Sequence, residues 1–286
     1  VAGVADFYVG DARNLRDHVA RVLPDWSSED PGYHAILAMY AFGLEECGDY
    51  ARAEDFGRRA IDLNPRDAWA QHAVAHVMEM QGRVKDGIDW MSGREAFWAE
   101  DNFFAVHNWW HLALYHLELE QFPEVLEIYD GPIRGQRSTV VLDLLDASAL
   151  LWRLQLRGVE VGARWRELAD CWEPLAADGF YAFNDAHARM AFVADGRDKA
   201  ADALLAAQQQ AMNGSSGNAR MTQPLRRQPR PARRLRPHAD RGGPARRPLC
   251  AAARPRQRAH RPEARVAAEP ALPQAGGALL GEASAG

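Results

Sequence analysis

The chain has 286 residues, a net charge of −5 and an apolar fraction ordinary for a soluble protein. That length suits one large domain or an array of small units. No run approaches the roughly 18 apolar residues of a membrane helix and the start shows no signal peptide, so membrane function is disfavoured. Cys47, Cys171 and Cys250 lie far apart without metal-ligand spacing, which reads as a reduced, cytoplasmic protein.

The net charge conceals a split. Residues 222–286 hold fourteen Arg, no Lys and four acidic residues, together with ten of the sixteen prolines and no Phe, Trp, Tyr or Ile. The body, residues 1–221, is strongly acidic by comparison. Two kinds of sequence are joined here, and the division predicts a folded domain over 1–221 and a disordered tail over 222–286.

Along the body, helical spacing comes first in "AILAMYAFGLEECGDYARAEDFGRRAIDLNP". Ala38, Ala41 and Leu44 share one face; a turn follows at Gly48; a second run passes through Ala53, Phe56, Ala60 and Leu63; Asn64-Pro65 stops it. Gly48, Tyr50, Ala53, Ala60 and Pro65 match the small-residue and turn positions of a tetratricopeptide repeat, whose period is about 34 residues. Next, "AWAQHAVAHVMEMQGRVKDGIDWM" places Ala75, Gly82 and Gly87 at equivalent positions, and "HNWWHLALYHLELEQFPEVLEIYD" places Trp109, Ala113, Phe122 and Tyr129 there. Longer helical pairs follow through "VLDLLDASALLWRLQ" and "FNDAHARMAFVADGRDKAADALLAAQQQA". Strand alternation is absent. The pattern predicts an all-α protein, an α-solenoid of tetratricopeptide-like hairpins over about residues 10–212.

Histidines fall in the register of this repeat. His72 to His107 is 35 residues, and so is His76 to His111. Both pairs lie on the first helix of a hairpin, where they are expected to face one concave groove. On a helix, His72 and His76 stand about 40° apart and Glu79 returns to the same face. First helices of neighbouring hairpins pack about 8–10 Å apart, a gap imidazoles can span. Asp185 and His187, opening a later first helix, are expected at the groove's edge. Three readings stay open. The histidines are structural groups satisfied by Glu79, Asp185 and backbone; they line a pocket for a peptide or small molecule, walled by Phe104, Trp109 and Trp110; or His72, His76, His107 and His111 hold a divalent metal such as zinc. A hydrolytic enzyme using these histidines as ligands or acid–base groups is the alternative to a binding scaffold. Trp69, Trp90, Trp98, Trp152, Trp165 and Trp172 read as core, and His116, with no counterpart in the preceding repeat, as packing. The body has no G-x-G-x-x-G, Walker loop or G-x-S-x-G, which disfavours nucleotide-dependent and α/β-hydrolase chemistry.

"DAWAQHAVAHVMEMQGR", "FFAVHNWWHLALYHLE" and "FNDAHARMA", with "DFYVGDARNLRDHVARVLPDW" near the start, resemble the tetratricopeptide repeat protein 38 family over most of residues 5–221. The family's H-x-x-A-H-x-x-E-M string matches His72, Ala75, His76, Glu79 and Met80. Its H-N-x-W-H string matches His107, Asn108, Trp110 and His111, and its F-N-D-A-H string matches Phe183, Asn184, Asp185, Ala186 and His187. The resemblance implies a helical-repeat protein, adds Asn108 and Trp110 to the candidate ligand-binding residues, and carries no settled activity. Family members have further repeats before the point where this chain begins, so Val1 reads as a truncated start.

The Arg-rich tail invites a nucleic-acid reading, but its composition is that of a shifted frame in a GC-rich gene. Leu225 to Pro244 can be written in permitted codons that, read one base on, give FGGSHAQRDVFDRTLIEAA, which resembles the family's C-terminal string. Residues 261–271 likewise permit a string like the family's ending. The tail is therefore expected to be out-of-frame translation, and no nucleic-acid partner is expected.

Overall fold

The computed structural model describes residues 6–213. The tail 222–286, expected to be disordered, lies outside the described residues. Among these, every regular element is helical and no strand occurs.

Paired antiparallel helices follow one another in chain order. After α1 (Ala12–Val22) come the hairpins α2 (Tyr33–Glu46) with α3 (Tyr50–Leu63) and α4 (Ala68–Met80) with α5 (Val84–Ser92). A short α6 (Glu95–Trp98) precedes α7 (Ala105–Glu118), which pairs with α8 (Phe122–Ile128) and its π-helical extension Tyr129–Ile133. The last pairs are α9 (Val141–Leu156) with α10 (Arg164–Trp172), and α11 (Ala182–Asp195) with α12 (Asp198–Asn213).

One turn device recurs. Each first helix ends in a residue at positive φ: Gly48, Gly82, Glu120, Gly158 and Gly196. The following amide bonds back five residues, as Asp49 N–H to Leu44 C=O and Arg83 N–H to Met78 C=O do, which satisfies carbonyls the helix end would orphan. The first two turns stand 34 residues apart and the later ones 38 apart, because α6 and longer connections are inserted. The sequence pattern decays at that point for the same reason.

Small residues set the helix crossings. A Cβ on Gly57 would meet Val74 Cγ2 at 2.6 Å, and one on Gly87 would meet Tyr115 Cζ at 2.2 Å. Ala53 and Ala60 are fully buried at the α2–α3–α4 junction. These approaches lay the first helices side by side, α2 on α4, α4 on α7, α7 on α9 and α9 on α11.

The first helices are buried nearly all round, whereas α3, α5, α8 and α10 keep a polar outer face. The expectation of an open concave groove therefore does not hold. The chain curls until its start meets its later repeats: Tyr8 packs edge-on against Tyr181 at 5.3 Å, and Phe7 lies 6.2 Å from Phe42. What reads as a groove wall in a linear array becomes interior.

Candidate functional site

His72 and His76 sit on consecutive turns of α4, and His107 and His111 on consecutive turns of α7. Because α4 and α7 pack side by side, the two pairs meet. His72 Nε2 lies 3.1 Å from His107 Nε2, and His107 Nε2 lies 3.2 Å from His111 Nε2. The His76 ring closes the set, 4.2 Å from His72 and 4.5 Å from His111 between centroids. One ligand nitrogen from each of the four falls within 4.8 Å of all the others. All four side chains are at most 1% exposed.

Aromatic rings seal the cluster. Trp110 stacks on His107 with an interplanar angle of 17°, Phe104 lies 5.1 Å from His72, and Phe42 on α2 contacts both His72 and His76. Trp69, read from sequence as core alone, also stands against His72 at 5.5 Å. Trp109 is not a wall of this cluster; it turns to Trp98, 4.9 Å away. Asn108 is buried and donates to Ala68 C=O at 3.5 Å, leaving its Oδ1 unpartnered.

Carboxylates stand behind three of the imidazoles. His107 Nδ1 is 2.9 Å from both oxygens of Asp146 on α9. His111 Nδ1 is 2.9 Å from Glu79 Oε2, and Glu79 is the member of the group with solvent access, its side chain 28% exposed. His76 Nδ1 faces Glu45 Oε2 at 3.5 Å, within ion-pair reach but too long for a well-formed hydrogen bond. Sequence reasoning missed Asp146 and Glu45. Asp146 had a signal: it lies 35 residues beyond His111, in the register that joins His76 to His111.

These contacts set the electrostatics. Burial, reinforced by the charges of His76, His107 and His111, holds the His72 pKa well below the usual imidazole range. Burial acts the same way on His76, but the Glu45 carboxylate, helped by Glu79 and Glu46, outweighs it and raises the pKa. Glu79 is pushed up by burial against the opposing charges of His76, Arg153 and His107. Glu46 rises to about 7, through burial first and the neighbouring Glu45 second.

The hydrogen-bond count is frustrated. The His107 and His111 Nε2 atoms face each other across 3.2 Å. An N–H of one imidazole or a metal ion can bridge that contact. His72 Nδ1 and both nitrogens of His76 are buried without a hydrogen-bond partner, a cost of about 1–3 kcal/mol for each group left unpaired.

Two of the six nitrogen–nitrogen separations match a tetrahedral transition-metal site, and all six fall within 4.8 Å. Zn–N bonds of about 2.0–2.1 Å in a tetrahedron give ligand separations of about 3.3–3.4 Å, and the 3.1 and 3.2 Å separations are close to that. Carboxylates on the far nitrogens of metal-bound histidines orient the rings and raise their basicity.

Asp185 and His187 stand on α11, which packs against the Asp146-bearing α9. Asp185 accepts from Gln208 Nε2 on α12 at 2.8 Å, and His187 Nδ1 lies 2.8 Å from Phe183 C=O. His116 bonds Gln121 Oε1 through Nδ1 at 2.7 Å, across the turn into α8. Among the described residues no helix is long and apolar enough to cross a membrane.

No protein-family model matches the chain. Among solved structures it is similar to YrrB, described as a TPR protein with an unusual peptide-binding site, at 15% identity and a TM-score of 0.39 over 66% of this chain and 89% of that one.

Proposed function

We propose that this is a metal-binding helical-repeat protein, of the tetratricopeptide repeat protein 38 kind, in which His72, His76, His107 and His111 hold one divalent transition-metal ion. Zinc suits the set best, since it accepts four nitrogen donors without demanding a particular d-electron geometry. The observation that carries this reading is the convergence of one nitrogen from each of four buried histidines within 4.8 Å, with both nitrogens of His76 lacking a hydrogen-bond partner. The ion would be the recognition element for a small molecule or peptide end approaching past Glu79, with Trp110, Asn108, Asp185 and His187 as further candidate contacts.

Glu79 also favours a second reading. A metal-dependent hydrolase needs a base with solvent access beside the ion, and Glu79 is the carboxylate of the group so placed. Four histidines on a tetrahedral ion leave no open position, so this reading requires one ligand to yield or the shell to expand.

The test is elemental analysis of the full chain after zinc loading and exhaustive buffer exchange. Retained zinc in the wild type, lost in the paired variant His76→Ala/His111→Ala with helicity kept, supports the metal site. Wild-type protein that retains no zinc, cobalt or nickel removes it. The hydrolytic reading stands only if a peptide and ester panel yields turnover that Glu79→Gln abolishes without loss of metal.

A further inference from the structure

His76 differs from the other three histidines. Its Nδ1 faces Glu45 at 3.5 Å, its Nε2 is buried without a hydrogen-bond partner, and its ring lies against His72 and His111. A single imidazole therefore offers one nitrogen to the histidine cluster and one to the acidic end of α2. There, Glu45, Glu46 and His76 each place a ligand atom within 4.8 Å of the others. Glu45 is 4% exposed and its Oε2 is buried with no hydrogen bond, which water at a surface cluster would supply.

We infer that Glu45, Glu46 and His76 form a second cation site that shares His76 with the four-histidine centre, so that the protein holds two divalent metal ions. This rests on the metal reading above. His76 would bind the first ion through Nε2 and the second through Nδ1. A neutral imidazole carries one N–H, so coordination at both nitrogens releases that proton to solvent and leaves a bridging imidazolate between the two ions.

The two donor sets differ. The first site offers nitrogen alone, whereas the second offers two carboxylates and one nitrogen and therefore favours harder ions such as manganese or magnesium more than the first does.

Cobalt(II) titration of the metal-free full chain, followed by visible absorption and by bound metal after gel filtration, tests the inference. The expected result is two cobalt ions per chain, the tetrahedral nitrogen site filling with intense absorption and the second with weak absorption. Glu45→Gln/Glu46→Gln should then bind one, with the intense band unchanged. A wild-type stoichiometry of one, with that band present, overturns the second site and leaves the first standing. Two ions in both wild type and double variant also overturn it, by placing the second ion elsewhere. No cobalt in either protein removes both sites. Should the double variant fail to fold, shown by lost helical circular dichroism, Glu45→Gln alone takes its place in the same comparison.

Discussion

If His72, His76, His107 and His111 bind a metal ion, the ion should stabilise the fold by a calculable amount. Ligands fully buried on α4 and α7 are assembled only in the folded chain, so binding free energy becomes folding free energy. At free zinc one hundred times the Kd, that gain is about 2.7 kcal/mol. For a folded domain of roughly two hundred residues it corresponds to a rise of about 5–11 °C in Tm. His111→Ala removes one ligand and releases Glu79, and should reduce the zinc-dependent rise to less than about a third of that range. The assay is differential scanning calorimetry of the full chain with chelator, with zinc, and with zinc followed by chelator. Reversal by chelator separates binding from aggregation. A wild-type Tm indifferent to zinc, cobalt and nickel at concentrations up to a millimolar would refute the reasoning. The Nε2–Nε2 contact of His107 and His111 would then be held by a proton.

Four further outcomes follow from particular contacts. Asp146→Asn should leave helicity intact and weaken zinc binding about 10–100-fold, read by chelator competition, because it removes the anion behind His107; unchanged affinity would sink the assigned role. Gly87→Ala drives a methyl into Tyr115, whose hydroxyl donates to Ala75 C=O at 2.5 Å, and should cost about 2–5 kcal/mol in urea unfolding through overpacking and the lost buried bond; a cost below about 1 kcal/mol would show that the α5–α7 crossing relaxes freely. Glu54 accepts from Arg58 and from Arg83, tying α3 to the start of α5; burial opposes ionisation, but these bonds outweigh it and lower its pKa. Its stabilisation, about 1 kcal/mol, is present above the ordinary value of 4.5 and lost as pH falls through the lower folded value, so wild type and Glu54→Gln should differ at pH 7 and converge in acid, and a gap constant with pH would contradict this. DNA sequencing downstream of codon 222 should reveal the family-like string in another frame, and stop codons there would return the Arg-rich tail to consideration as a nucleic-acid binder.

The helical hairpins were legible because their signals are local: a turn residue at the end of each first helix, small residues at crossings and apolar residues at helical spacing. The meeting of the four histidines was legible for a related reason. A 35-residue offset on two equivalent helices becomes a lateral displacement between neighbours, and α4 and α7 are neighbours. Burial was not legible. It depends on Phe42, Trp69, Phe104 and Trp110, rings from different elements that close over the cluster in a way no local pattern encodes.

The missed acids show where such reasoning stops and how it extends. Asp146 obeys the same 35-residue offset from His111 and sits in a helix otherwise rich in leucine and alanine, so an acid there needs a buried partner. The offset thus runs His76, His111, Asp146 across three successive first helices, and the third member supplies a carboxylate to an imidazole on the second. Glu45 has no such mark, because acidic residues closing a repeat's first helix ordinarily face water. It is buried because that end of α2 lies between α1 and α4. A register shared by chemically different residues is therefore the more useful signal: it finds the group that serves a site as well as the groups that compose it.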